Sequence, residues 1–331
     1  MSSTQAHAGP VSAVTMRLPS TSDLEAALRS MDGLGDAVIV SRAPNVFSSA
    51  AESEVVRLAT EEGECSLLIK YGSDARRHTG HGYWGDVAYE AAVYRSMLSR
   101  IDTRTPRFYG LARHADASWL AIEYVDGERL SKSPRAAIII AARWLGAFHR
   151  ATASATGARR DVLNMMDAAY FRGWAERTFE YTRPLHGTHR WIEQACSYFA
   201  RHAGELAAHE ATVVHGEFYP RNVLIAGDEA IPVDWQSAAT GPGEVDIASL
   251  TEGWGDGPLV AECLRAYEGA RWPGGAPQDF ERRLDLARMY WPLRWLGDDP
   301  AWTHSPKRAR YFEALRAAAL RAGAPLGGEE A

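Results

Sequence analysis

The chain has 331 residues, of which 46% are hydrophobic, and a formal net charge of −6. This length is sufficient for two parts with separate hydrophobic cores. The acidic balance argues against nucleic-acid and anionic-membrane partners, because both require a basic face on the protein.

Membrane-spanning and secreted proteins are also disfavoured. The longest apolar candidate, 136–148, is shorter than the roughly 18 residues that a bilayer span requires and is interrupted by Arg143. The N-terminus has neither the basic flank nor the apolar segment of a secretion signal. The 3 cysteines are odd in number and widely spaced, which argues against a disulfide framework or a zinc site. We therefore expect a cytoplasmic protein.

The first part of the chain is expected to be rich in β-strands. Residues 1–19 contain many small and polar residues without a sustained period, which predicts a disordered tail. A short helix should follow, with Ser22 or Asp23 as its N-cap. Short segments rich in Val, Ile and Leu predict strands at 37–40, 53–59 and 65–71.

Lys70 stands at the end of the third predicted strand in a chain that otherwise prefers arginine. A compact ammonium at a strand end suits a site that positions phosphate groups. The Gly-rich segment 72–85 predicts a loop, and apolar spacing over 87–99 predicts a helix that contains Glu90. An exposed helical glutamate is the ordinary interpretation of Glu90, but the lysine upstream favours an ion pair between the two.

The second part of the chain is expected to be mainly helical. A strand is predicted over 119–125, ended by the turn Asp126-Gly127. Helices are then predicted at 136–150, 168–181, 191–209, 246–253, 258–270, 280–296 and 307–322, and short strands at 213–214, 223–225 and 231–233. A β-rich part followed by a helical part indicates the α+β class.

The segment 215–234 carries the most specific pattern in the chain. It contains His-Gly-Glu-Phe-Tyr-Pro-Arg-Asn, an apolar run, a turn, and then Ile-Pro-Val-Asp-Trp. Phosphoryl transfer needs a carboxylate that orients the attacking hydroxyl and oxygen ligands that hold Mg²⁺ against the phosphates. Glu217, Asn222 and Asp234 could supply these groups in that order, with Asn222 and Asp234 as the metal ligands.

This pattern resembles that of the aminoglycoside phosphotransferase family, small-molecule kinases that carry His-Gly-Asp-x-x-x-x-Asn. Glu217 here occupies the position of the family's Asp. The resemblance implies a bilobal protein-kinase-like fold, with a small β-rich N-lobe at 20–125 and a larger, mainly helical C-lobe at 126–331. It also implies ATP or GTP and Mg²⁺ as cofactors. The acceptor would be a hydroxyl of an aminoglycoside, an amino sugar or a related polar metabolite, with a cationic acceptor favoured.

The resemblance further implies roles for residues outside the motif. The pair Lys70 and Glu90 would position the phosphates, and the main chain of Glu123 and Val125 would meet the adenine edge. Asp246 would brace the catalytic loop through hydrogen bonds, with helix capping as an alternative. Segment 41–51 contains no glycine, so the hydroxyls and amides of two serines would cover the phosphates instead: Ser48 and Ser49.

Acceptor recognition is expected in the helical part, from acidic and aromatic residues. Carboxylates would attract ammonium groups, and tryptophan faces suit sugar rings and cations. Tryptophan at helical spacing is more often a core residue, and Gly-Asp-Asp-Pro is more often a solvated turn, so both interpretations stay open. The candidates are Glu252, Trp254, Asp256, Trp295, Asp298 and Asp299.

Two functions remain open at this point. The first is a small-molecule phosphotransferase. The second is a kinase-fold nucleotide-binding protein without transfer activity, in which Glu217 marks the lost chemistry. The extra methylene of Glu217 displaces its carboxylate, and a displacement of about 1 Å can cost on the order of a hundredfold in rate.

Overall fold

The computed structural model describes residues 18–45, 52–73, 86–114, 117–153, 162–208, 211–252, 257–301, 305–306 and 308–327. The strands are β1 (Val38–Pro44), β2 (Glu52–Thr60), β3 (Gly63–Ser73), β4 (Phe108–His114), β5 (Ala117–Glu123), β6 (Glu128–Arg129), β7 (Asn164–Met165), β8 (Thr212–Val214), β9 (Val223–Ala226), β10 (Glu229–Pro232) and β11 (Ala239–Gly241). The helices are α1 (Thr21–Leu28), α2 (Val87–Ser96), α3 (Ala137–Ala153), α4 (Ala168–Thr182), α5 (Arg190–Ala207), α6 (Glu244–Thr251), α7 (Pro258–Arg271), α8 (Phe280–Asp298) and α9 (Arg308–Arg321).

Several predictions fall wholly or partly outside these residues. Nearly all of the predicted tail 1–19 does so, and the loop 72–85 beyond its first two residues does as well. Four candidate site residues are also outside the described part of the chain: Ser48, Ser49, Trp254 and Asp256.

The N-terminal part is built on a five-stranded antiparallel sheet in the order β1-β2-β3-β5-β4. Val56, Leu67 and Ile69 point into a core beneath α1, which contributes the buried Leu24 and Leu28. Alternation of buried and exposed side chains along β2 is the reason that its sequence predicts a strand. No such pattern marks β4, because its residues are half-buried without alternation.

The structure corrects several predicted boundaries. The strand predicted over 119–125 is β5, and it ends at Glu123 because the next residues leave the sheet. Helix α2 ends at Ser96 and is followed by a 3-10 turn. The N-cap of α1 is Ser20, whose hydroxyl accepts a hydrogen bond from the amide of Asp23.

The C-terminal part is mainly helical, with α8 at its centre. This helix contacts α4, α5, α6 and α9 and is buried on nearly all sides, as its apolar residues require. Two small sheets, β10-β9-β6 and β7-β11-β8, carry the segment that contains the motif. The division into lobes at 125 and 126 stays a prediction.

All 3 cysteines are free thiols, in agreement with the absence of a predicted disulfide framework. Among the helices of the described residues, none combines the length and the apolar composition that crossing a bilayer requires.

Candidate active site

The turn after β8 directs Glu217 into the interior because Gly216 adopts a left-handed conformation, with φ 78°. A Cβ atom at this position would lie 2.1 Å from the carbonyl oxygen of Ser237. Both the backbone angle and the close approach therefore require glycine. The backbone geometry thus explains why the middle residue of His-Gly-Glu is glycine.

Asp246 braces this turn from the first turn of α6. Its Oδ2 accepts a hydrogen bond from the amide of His215 at 2.6 Å, and its Oδ1 accepts one from the amide of Gly216 at 2.9 Å. Helix α6 begins at Glu244 and has no side-chain cap, so the capping alternative for Asp246 is wrong. The carboxylate instead satisfies two buried amides that would otherwise lack acceptors.

His215 links the turn to the strand that leads to Asp234. Its Nε2 lies 3.0 Å from the carbonyl oxygen of Val233, and its Nδ1 accepts a hydrogen bond from the amide of Glu217 at 3.2 Å. A carbonyl only accepts and an amide only donates, so the ring carries its proton on Nε2 and is neutral. Burial lowers the pKa of His215, in agreement with a neutral ring.

Lys70 connects the two parts of the molecule. Its Nζ lies 2.9 and 2.8 Å from the two carboxylate oxygens of Glu90 and 2.8 Å from Oδ1 of Asp234. The amide of Trp235 donates to Glu90 Oε1 at 3.1 Å, which fixes the glutamate from the other side. The structure thus brings Lys70, Glu90 and Asp234 together, and we call these three residues the lysine cluster.

The lysine cluster contains one cation and two carboxylates. Burial lowers the pKa of the Lys70 amine, but Asp234 and Glu90 more than offset that effect and raise it overall. Burial likewise raises the pKa of Asp234, yet the charge of Lys70 outweighs it and lowers the pKa. The pKa of Glu90 is raised, chiefly by burial, against the opposing charge of Lys70. Asp234 is therefore the acid that is held ionised most firmly.

Asn222 is hydrogen-bonded to Glu217 and to Val233, the residue before Asp234. The side-chain Nδ2 of Asn222 donates to the main-chain carbonyl of Glu217 at 3.0 Å. The main-chain carbonyl of Asn222 accepts from the amide of Val233 at 2.9 Å. The side-chain oxygen of Asn222 and the carboxylate of Asp234 are the hard oxygen donors that Mg²⁺ prefers. Within the described ranges, no group of 3 or more His, Cys, Asp or Glu side chains could hold a metal alone. The chemistry of the two oxygen donors, Asn222 and Asp234, fits Mg²⁺.

Glu217 is paired with an arginine that the sequence did not single out. Its Oε1 accepts a hydrogen bond from Arg294 Nη2 at 2.9 Å, and both side chains are 5% exposed. Arg294 lies on α8 in the apolar run Trp-Pro-Leu-Arg-Trp. A lone arginine in such a run needs a buried partner, and that was the available signal.

Glu123, at the end of β5, has only part of its main chain available to contact a nucleotide. The amide of Glu123 donates to the carbonyl of Arg107 at 2.8 Å, and its carboxylate accepts from Arg104 Nη1 at 2.8 Å. Glu123 could therefore meet adenine through its carbonyl but not through its amide. Val125 follows the end of β5, and its main chain stays a candidate for the same role.

A model of the phosphotransferase enzyme family matches residues 45–283. The chain belongs to this family. The match covers more than half of the sequence and includes every residue of the lysine cluster and the motif. It confirms the resemblance found in the motif, and the protein is a small-molecule kinase of this phosphotransferase family.

Solved structures share the fold at low sequence identity. A choline kinase from Cryptosporidium parvum has a TM-score of 0.61 and 11% identity, over 93% of this chain and 98% of that one. An aminoglycoside phosphotransferase from Alicyclobacillus acidocaldarius has a TM-score of 0.53 and 16% identity, over 87% and 90%. A spectinomycin phosphotransferase in complex with ADP and spectinomycin has a TM-score of 0.58 and 11% identity, over 92% and 97%. These similarities confirm the protein-kinase-like α+β fold. No curated protein sequence matches the chain.

In this phosphotransferase, a cavity of about 420 Å³ lies beside the catalytic loop, between α6, α8 and α9. Two of the predicted acceptor residues, Glu252 and Trp295, line it. Asp298 and Asp299 lie at the end of α8 and do not line it; Asp299 Oδ1 accepts from the amide of Ala301 at 2.8 Å, as in an ordinary turn. We call this space the acceptor cavity.

Proposed function

We propose that the protein transfers the γ-phosphoryl group of ATP, bound with Mg²⁺, to a hydroxyl of a small polar molecule. The observation that supports this most strongly is the 2.8 Å contact between Lys70 Nζ and Asp234 Oδ1. Phosphoryl transfer depends on a lysine at the phosphates and a carboxylate at the metal within reach of each other. The solved spectinomycin phosphotransferase that contains ADP supports adenine nucleotide as the donor.

In the proposed mechanism, Glu217 orients the attacking hydroxyl and accepts its proton. A bond forms between the hydroxyl oxygen and the γ-phosphorus, and the bond from that phosphorus to the bridging oxygen breaks to release ADP. Mg²⁺ would supply neutralisation of phosphate charge, and Asp234 and Asn222 would hold it. Lys70, braced by Glu90, would position the phosphates. Most of the rate enhancement would come from placement and charge stabilisation.

Arg294 gives a physical reason why glutamate can serve at position 217. It engages Oε1 of Glu217 from α8, so the longer side chain is held in one place. The other oxygen, Oε2, then serves the hydroxyl. A carboxylate fixed by a buried ion pair also loses little conformational freedom on binding the acceptor.

The test measures nucleotide binding and transfer separately. Calorimetric titration with Mg·ATP reports binding, and phosphorus NMR of reactions with a panel of hydroxyl compounds reports a phosphorylated product. We expect Glu217→Gln to retain nucleotide binding and to lose transfer, whereas Glu229→Gln, at an exposed position on β10, should retain both. Nucleotide binding without product from any hydroxyl compound would instead support the binding protein without transfer activity.

A further inference from the structure

The acceptor cavity is walled by three aromatic rings. The rings of Trp295 and Tyr311 are stacked, with centroids 6.0 Å apart and planes 22° apart. Tyr219, from the catalytic loop, lies 6.1 Å from Trp295 with planes 36° apart. The cavity therefore has an aromatic wall beside the catalytic loop.

Arginine side chains of the protein already lie over two of these rings, those of Tyr219 and Trp295. The guanidinium of Arg221 lies 4.9 Å from the ring of Tyr219 and 5.9 Å from that of Trp295. Arg294 lies 5.8 Å from the ring of Trp295 as well. A cation–π contact reaches to about 6 Å, so Trp295 has two guanidinium groups within that range. A ligand ammonium at the same ring would be repelled by both.

The charged groups at the cavity also favour an anion. Among the described lining residues, Arg221 and Arg310 oppose a single acid, Glu252. Arg310 Nη2 lies 3.7 Å from Glu252 Oε1, so that acid already has a basic neighbour. Burial raises the pKa of Glu252, against the opposing charges of Arg310 and Arg221. The carboxylates that were expected to attract ammonium groups are thus outnumbered here.

We propose that the acceptor carries an anionic group, in the simplest case a carboxylate, in addition to its hydroxyl. Arg221 and Arg310 bind the anion, and the aromatic wall contacts the rest of the molecule. This inference rests on the proposed function, and it replaces the cationic acceptor expected from the sequence. Guanidinium groups suit carboxylates because they form paired, charge-assisted hydrogen bonds with them.

The test uses three probes that share the ring and the hydroxymethyl group and carry a negative, a neutral or a positive substituent: 4-(hydroxymethyl)benzoate, 4-(hydroxymethyl)benzamide and 4-(hydroxymethyl)benzylamine. Their binding to the protein with Mg·AMP-PNP is measured by calorimetry, which requires no transfer. We expect the benzoate to bind at least about tenfold more tightly than the benzylamine, with the benzamide between them. Equal or tighter binding of the benzylamine, or no binding of the benzoate, would overturn the proposal.

Matched variants separate a local site from general charge attraction. In the double variant Arg221→Gln with Arg310→Gln, the preference for the benzoate should disappear. The control Arg201→Gln with Arg265→Gln removes the same charge from exposed positions on α5 and α7, and the preference should remain. Equal loss in both double variants would contradict a cavity-borne preference. Failure of the proposed function has a different signature, namely no product from any hydroxyl compound, whatever the order of binding.

Discussion

The two acidic centres of the active site differ in charge balance. In the lysine cluster, one cation faces two carboxylates, and the Asp234 side chain is 23% exposed. At the catalytic loop, Glu217 faces one guanidinium, and both groups are almost fully buried. The first centre carries a surplus negative charge toward the cleft, whereas the second is neutral within the protein. This difference fits a metal site that is completed by Mg·ATP and a base that is completed by Arg294.

The backbone of Asp234 adopts an unfavourable conformation that places its side chain in the lysine cluster. This residue has φ 71° and ψ 61°, a left-handed conformation that costs on the order of 1–3 kcal/mol for a residue other than glycine. Aspartate and asparagine tolerate that conformation better than most residues. Its side chain is thereby turned toward Lys70 at a cost that the surrounding structure must offset.

Removal of the cation should reduce stability more at the pair Glu217 and Arg294 than at the lysine cluster. Arg294→Met leaves Glu217 buried without its guanidinium partner, which we expect to destabilise the fold by about 3–5 kcal/mol. Urea unfolding followed by fluorescence measures this change. Arg310→Met, at an exposed position on α9, should change stability by less than about 1 kcal/mol.

A double variant tests whether the loss comes from the unpaired charge. When Glu217→Gln is combined with Arg294→Met, stability should recover by about 1–3 kcal/mol over the single arginine variant. Transfer should stay lost because the base is absent. A double variant that is no more stable than Arg294→Met would show that the arginine acts through packing alone.

The same contrast explains what the sequence could and could not predict. The motif from Glu217 to Asp234 is continuous, so its spacing together with its resemblance to a known family predicted the roles, and the rarity of lysine pointed to Lys70. The pairing of Glu217 with Arg294 joins residues 77 positions apart, and no local pattern encodes it. Strand β4 is half-buried on both faces, and for this reason its residues do not alternate between apolar and polar.

The lining of this cavity was the part of the site that the sequence pattern specified least. Glu252 and Trp295 do line the cavity, but the arginines that set its charge lie on the catalytic loop and α9, in segments without a distinctive pattern. Asp298 and Asp299 were chosen for their charge, and charge alone does not distinguish a cleft from a solvated helix end. The position of a helix face is a tertiary property, which a single sequence specifies weakly.

The surplus charge of the lysine cluster predicts a strong effect on transfer with little effect on folding. Asp234→Asn keeps the shape and the left-handed backbone but removes the charge that we propose binds the metal. We expect transfer to fall at least about a hundredfold, which corresponds to about 2.7 kcal/mol, measured as ADP formation at saturating acceptor. Asp228→Asn, in the exposed turn between β9 and β10, is the matched control and should keep the parental rate.

Loss of the brace behind the catalytic loop should have an intermediate effect. Asp246→Asn replaces two charged acceptors of the His215 and Gly216 amides by a single neutral oxygen. We expect destabilisation by about 1–3 kcal/mol, together with a lower kcat at an unchanged KM for ATP. Unfolding and steady-state kinetics measure the two effects. A raised KM with unchanged kcat would mean that Asp246 supports the nucleotide site instead of the loop.

The smallest expected effect is a dependence of stability on pH through His149, which lies behind Asp246. Its Nε2 is 3.3 Å from Asp246 Oδ2 and its Nδ1 is 3.0 Å from the hydroxyl of Tyr267. Burial lowers the pKa of His149 in the folded chain below its ordinary value of 6.5, against the opposing hydrogen bond to Asp246. As the pH falls through that value, the unfolded chain takes up the proton before the folded chain does. The contribution of His149 to stability is therefore complete above it and is lost on acidification.

The difference between two proteins isolates this contribution from all other titrating groups. Unfolding free energies are measured between about pH 7.5 and pH 5.5 for the parental protein and for His149→Gln, which cannot titrate. We expect the parental protein to lose stability more steeply below the ordinary histidine pKa, by at most about 1.4 kcal/mol per pH unit, the limit for one proton. Parallel curves for the two proteins would mean that His149 takes up its proton equally well in the folded state. Its hydrogen bond to Asp246 would then offset the effect of burial on the pKa of His149.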